Sequence, residues 1–199
     1  MTPALAGLVL AAGAGRRMGT PKALLDDAGG ASLVDVAVDR LQEAGCGPVV
    51  VVLGAEAGRA RERLRARPAG TTRVVVADDW AEGMGASLRR GLEELEGEAE
   101  TVAVLVTLVD LPDVDVRVMD RVVGRWREDG AQPDGLARAT YAGIPGHPVL
   151  LGRDHWGPLR ETLAGDRGAQ PYLRRRIVRE VSCEDLATGR DVDRPEDLP

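Results

Sequence analysis

A chain of 199 residues suits one α/β domain and is short for two, so residues 1–199 are read as a single domain. Apolar residues make up 44% and charged residues 29%, which excludes a disordered polymer. The net charge of −6 argues against a dedicated nucleic-acid binder, whose affinity comes mainly from clustered positive charge, yet leaves room for a small anionic substrate at a local positive site.

The apolar run 5–12 reads as a buried strand that ends in glycines and releases the chain into a turn. A helix is predicted over 32–44, with Ser32 as N-cap and Gly45 as the stop. The β-branched run 49–53 has the look of a parallel strand covered on both faces. The alternation continues with an arginine-rich helix (56–66), a strand (73–77), a helix entered at Gly83-Met84-Gly85 and ending near 95, and a strong strand (101–108). Arg59, Arg61, Arg63, Arg65 and Arg67 alternate along the first of these helices, point in different directions and interleave with Glu62, so they form a solvated face rather than a nucleic-acid patch.

After Asp110-Leu111-Pro112, helical spacing of Val118, Met119, Val122, Val123 and Trp126 predicts a helix over 116–128, with Asp113 and Asp115 as its cap candidates. Less regular segments follow: strands at 135–141 and 147–151, helices near 154–163 and 169–175, and a last strand at 177–181. Strands alternating with helices imply a three-layer αβα domain with a mainly parallel sheet, in which ligands lie at the carboxyl ends of the strands. The loop after 5–12 and Asp110 both occupy that edge.

Aromatic residues are scarce (Trp 3, Tyr 2, Phe 0), so the core is aliphatic and stacking platforms are lacking. Cys46 and Cys183 follow no metal or redox spacing and read as reduced thiols of a cytoplasmic protein. The first residues lack a basic n-region and no apolar run approaches about 18 residues, so neither export nor a membrane is expected.

The chemistry concentrates in the first loop. Gly13, Gly15 and Gly19 let backbone N–H groups approach a ligand, while Arg16, Arg17 and Lys22 supply charge for phosphate oxygens. Lys22 is the only lysine of the chain, a compact ammonium kept where Arg is used everywhere else. A Walker A loop is excluded because Thr20 and Pro21 separate Gly19 from Lys22. A dinucleotide fold fits the glycines but not the three cations; no Tyr-x-x-x-Lys pair exists, and Asp35 and Asp39 fall on a helix instead of a strand end. Asp110, leaving an apolar strand and fixed by Leu111-Pro112, is placed to hold a hard divalent ion.

The run from Leu10-Ala11-Ala12-Gly13 to Lys22 resembles the phosphate loop of the nucleoside-triphosphate transferases related to molybdenum cofactor cytidylyltransferase and guanylyltransferase. Gly83-Met84-Gly85-Ala86-Ser87-Leu88, Asp110-Leu111-Pro112, Gly146-His147-Pro148, Gly165-Asp166-Arg167-Gly168 and Asp191-Val192-Asp193-Arg194-Pro195-Glu196-Asp197-Leu198 are similar to further segments of that family, in the same order. Arg194 stands where Thr is usual, and Thr107-Leu108-Val109 is an individual variant.

The resemblance implies a Rossmann-like sheet of the nucleotide-sugar transferase type and Mg²⁺-dependent transfer of a nucleotide to a phosphorylated acceptor, with pyrophosphate released. It places Arg16, Arg17 and Lys22 on the triphosphate, Asp110 and Asp193 on Mg²⁺, Leu10, Ala11, Ala12, Gly83, Gly85 and Ser87 near the nucleotide, and His147 near the acceptor. Ala11-Ala12 leans towards CTP, which makes molybdopterin the leading acceptor and a molybdoenzyme or chaperone the partner to expect. A sugar or polyol phosphate acceptor, an NAD(P)-dependent oxidoreductase and a catalytically silent nucleotide-binding or cofactor-insertion protein stay open as alternatives.

Overall fold

The computed structural model describes residues 3–64 and 72–194. Arg65, Arg67, the end of the predicted helix 56–66 and the Pro195-Glu196-Asp197-Leu198 part of the closing motif lie outside the described residues.

Seven strands, β1 (Ala4–Ala11), β2 (Val49–Leu53), β3 (Thr72–Val76), β4 (Thr101–Leu108), β5 (Leu136–Tyr141), β6 (Ile144–Gly152) and β7 (Arg179–Ser182), form one sheet in the order β3-β2-β1-β4-β6-β5-β7. β3, β2, β1 and β4 run parallel; β6 is antiparallel to β4 and β5, and β7 returns parallel to β5. The sheet is therefore the mainly parallel one expected, with a single reversed strand.

Alternation along the strands sorts the core into two layers. Leu5, Val9, Val49, Val51, Leu53 and Leu105 face α1 (Leu33–Glu43), α2 (Ala57–Leu64) and α4 (Val116–Glu128). Leu8, Leu10, Val50, Val52, Val104 and Val106 face α3 (Met84–Leu95) and the short α5 (Trp156–Arg160) and α6 (Gln170–Leu173). All five residues of β2 are buried, as a strand covered on both faces requires. Among the described residues no helix is long and apolar enough to cross a membrane.

Helix ends partly depart from expectation. Ser32 occupies the N-cap position of α1, but its side chain makes no capping bond; its extended backbone pairs with Asp26 in an isolated bridge. Asp115 caps α4 by accepting from the Arg117 N–H at 2.9 Å, a contact worth about 1 kcal/mol. Of the alternating arginines, Arg59 pairs with Glu56, Arg61 donates to the Val74 carbonyl at 2.9 Å, and Arg63 bonds Asp26 and the Leu24 carbonyl, so this face is tied down on the protein itself.

The order of the strands positions the site. From β1 the chain steps outward to β2 and β3, then crosses back to lay β4 on the other side of β1. The connections leaving β1 and β4 thus diverge at their carboxyl ends, which is where an open α/β sheet makes its crevice.

Candidate active site

Register brings the two chemically loaded loops together. Leu10 pairs with Leu108, so the residues that follow, Ala11-Ala12-Gly13 and Val109-Asp110, emerge side by side. The Val109 N–H donates to the Leu10 carbonyl at 3.2 Å and the Ala55 N–H to the Ala12 carbonyl at 3.0 Å, fixing the start of the glycine loop to its neighbours. Gly15 sits at φ +58°, and a Cβ there would stand 1.9 Å from the Thr20 carbonyl oxygen, so the loop folds onto its own far end only with glycine. That fold returns the chain through Pro21 to Lys22, at the start of a 3-10 turn (Lys22–Leu24).

A cavity of about 460 Å³ opens above this edge, within the range of small-molecule sites. Leu10, Ala11, Ala12, Gly13, Gly15, Arg16, Arg17, Lys22, Gly83, Ser87, Asp110 and Asp193 all line it, so twelve of the fifteen candidate residues meet in one place.

At its base Lys22 Nζ donates to Asp110 Oδ2 at 2.5 Å and to Asp193 Oδ1 at 3.0 Å, and Arg17 donates to Asp193 Oδ2 at 2.5 Å. Burial alone pulls the Lys22 ammonium down, but its bonds to Asp110 and Asp193 outweigh this and leave it above its ordinary value. Asp193 is held below the usual carboxylate range, chiefly by the hydrogen bond from Lys22. Asp193 arrives from the far end of the chain: the Val192 N–H donates to the Asp110 carbonyl at 2.9 Å, and Thr188 donates from both its N–H (2.6 Å) and its hydroxyl (2.5 Å) to Asp113 Oδ2.

Two carboxylates meeting one cationic nitrogen fit a hard divalent ion of the Mg²⁺ kind, which takes one or two carboxylates and completes its shell with water and phosphate oxygen. Among the described residues no three His, Cys, Asp or Glu side chains converge, so a cage built of protein ligands alone is not formed.

Three candidates do not line the cavity. Gly19 takes a positive φ on the outer turn of the loop, and Gly85 packs beneath Ala164, whose nitrogen a Cβ would approach to 3.0 Å. His147 lies within β6, on the far side of β4 from β1; its carbonyl accepts from the Tyr141 hydroxyl at 2.6 Å, and burial pushes its imidazole down to about 4.

Two of the lining residues outside the candidate set add chemistry to the cavity. Trp80, against Gly54 at the end of β2, gives the cavity an aromatic wall, which corrects the expectation that stacking platforms are lacking. Asp166 comes in on the 3-10 turn Gly165–Arg167, packed over Gly83. An isolated tryptophan just ahead of Gly83-Met84-Gly85, in a chain so poor in aromatics, was the available signal for the first. Asp166 lies in Gly165-Asp166-Arg167-Gly168, a run similar to a family segment, which was the signal for the second.

Residues 7–182 match the family described as the MobA-like NTP transferase domain. The chain is 35% identical to a nicotine blue oxidoreductase of Paenarthrobacter nicotinovorans, over 98% of its own length and 95% of that protein. It is also 35% identical to a probable molybdenum cofactor guanylyltransferase of Rhodopirellula baltica, over 65% of its own length and 59% of that protein. Among solved structures it superposes on Rv0371c of Mycobacterium tuberculosis with a TM-score of 0.79 at 30% identity, covering 99% of this chain and 96% of that one. Rv0371c has also been solved in complex with manganese, where the TM-score is 0.72 at 27% identity over 98% and 95% of the two chains.

Proposed function

Since the chain belongs to the MobA-like NTP transferase family, we propose that it moves a nucleoside monophosphate, CMP in the favoured case, from a nucleoside triphosphate to a phosphorylated acceptor, with molybdopterin the leading acceptor. The observation that carries the reading is Lys22 seated between Asp110 and Asp193 directly below the glycine loop, where strand order makes the crevice.

In the reaction an anionic oxygen of the acceptor phosphate bonds to the α-phosphorus while the α–β bridging bond breaks, and pyrophosphate leaves with that electron pair. The nucleophile needs no base; orientation and repulsion among negative charges limit the rate. The backbone of residues 13–15 with Arg16 and Arg17 receives the triphosphate, and Lys22 reaches the phosphates from the cavity floor, donating where charge develops. Asp110 and Asp193 would hold Mg²⁺, which would neutralise phosphate charge. Ser87, buried and facing the cavity, offers a hydroxyl to the nucleotide.

Ala11-Ala12 supports the cytidine preference, whereas the name of the Rhodopirellula relative points to guanosine. A pyrophosphate-release screen over CTP, GTP, UTP and ATP with Mg²⁺, offering molybdopterin and sugar or polyol phosphates, tests the reading. Turnover with CTP and molybdopterin is expected, and Asp110→Asn abolishes it. Turnover with GTP alone refutes the cytidine preference; wild-type turnover by Asp110→Asn refutes the metal assignment.

The nearly full-length likeness to an oxidoreductase favours one second reading, in which the same loop seats the pyrophosphate of NAD(P)H and the cavity takes a ring system that accepts the hydride and is reduced. Oxidation of NAD(P)H by the protein, followed at its absorbance band without release of pyrophosphate from any nucleoside triphosphate, would replace the first reading by this one.

A further inference from the structure

The β4–α4 connection that presents Asp110 is gripped from behind by a residue outside the cavity. Arg40, in the last turn of α1, donates through Nη1 to the carbonyls of Leu111 (3.3 Å) and Val114 (3.0 Å), and through Nη2 to the carbonyl of Pro112 (2.8 Å). A planar guanidinium with its donors in a fixed fork can meet three carbonyls at once only if the backbone between them keeps one shape. Those three carbonyls belong to the residues right after Asp110, so the fork fixes the peptide planes that set the direction in which Asp110 leaves the strand.

On its other side the same connection is held by the C-terminal segment, through Thr188 on Asp113 and Val192 on the Asp110 carbonyl. Arg40 does not line the cavity. Resting on the metal-assisted transfer proposed above, we infer that Arg40 is a positioning residue: by holding the carbonyls of Leu111, Pro112 and Val114 it fixes the distance between the Asp110 and Asp193 carboxylates that a divalent ion must span. Groups that orient a metal ligand from behind change metal affinity or activity by about 10–100-fold when removed.

Arg40→Lys and Arg40→Met in the full chain test this, with Mn²⁺ as the probe and its uptake read from the loss of the free-ion electron paramagnetic resonance signal. Both variants are expected to need at least about tenfold more Mn²⁺ for half-saturation, Lys less than Met because an ammonium still donates to a carbonyl whereas the thioether donates to none. kcat for pyrophosphate release should fall by a similar factor, while KM for the nucleotide stays within about twofold, since the glycine loop and its cations are untouched. Wild-type Mn²⁺ uptake by either folded variant overturns the inference, as does collapse of both variants, which would make Arg40 a residue of the fold instead. Mn²⁺ uptake that Asp110→Asn leaves unchanged overturns the metal site itself; uptake that depends on Asp110 but ignores Arg40 overturns only the inference drawn here.

Discussion

Burial holds the His147 imidazole neutral in the native protein down to about pH 4, whereas an unfolded chain takes the proton near its ordinary value of about 6.5. The native pKa lies below the unfolded one, so the contribution to stability is complete above about pH 6.5 and is lost as the pH falls towards 4. Urea midpoints measured from pH 7 to pH 4 should decline, and His147→Asn should flatten the decline; an unchanged slope would remove His147 as its cause. Trp80 offers a separate optical handle. Trp126 and Trp156 are buried, and their indole N–H groups donate to the carbonyls of Gln132 (3.1 Å) and Leu151 (3.0 Å), while Trp80 lines the cavity. Nucleoside triphosphate binding is therefore expected to change the intrinsic emission through Trp80, and Trp80→Leu should abolish the change; a full response in that variant would take the nucleotide away from the indole.

Among the elements, the segment from Cys183 to Asp193 has no regular structure, yet it carries one of the two central carboxylates. It is seated by Gly189 against the Tyr141 ring: at φ +65°, a Cβ there would stand 2.2 Å from ring carbons. Gly189→Ala should unseat the segment and displace Asp193, lowering pyrophosphate release at least about tenfold with the far-ultraviolet circular dichroism unchanged. Undiminished turnover would mean that Asp193 is held independently of this contact. The elements that agree with the sequence reading in both bounds, β2 (Val49–Leu53), β4 (Thr101–Leu108) and α4 (Val116–Glu128), are those with unbroken apolar runs or a clean helical period. Between 152 and 176 the expected helices shrink to α5 and α6 with 3-10 turns around them, and Gly165 and Gly168 take positive φ in the stretch between the two. Lys22 and Asp110 were legible because each follows a strand through a short, chemically distinct loop. Arg40 was not, since its partners lie 71 to 74 residues away and helical spacing shows only that it shares a turn with apolar neighbours.

For the molecule as a whole, both thiols belong to the core beneath α1 and α4. Burial pushes Cys46 up to about 12 and raises Cys183 as well. The native state keeps these protons while an unfolded thiol releases its own near pH 8.5, so stability falls as the pH rises above that value, by about 2 kcal/mol at pH 10 for Cys46. Urea unfolding between pH 7.5 and pH 10 should show the decline, and Cys46→Ala should remove most of it. The layers and the mainly parallel sheet followed from alternating strands and helices, but the reversed β6 did not, because hydrophobic periodicity carries no strand direction. The solitary lysine has a consequence for handling the protein. Apart from the chain's own α-amine, every reagent that targets primary amines finds one destination, the ammonium clasped by Asp110 and Asp193. Reductive methylation followed by intact-mass measurement therefore becomes an occupancy meter for the cavity floor, and attachment to an amine-reactive surface selects between a tethered terminus and a blocked site.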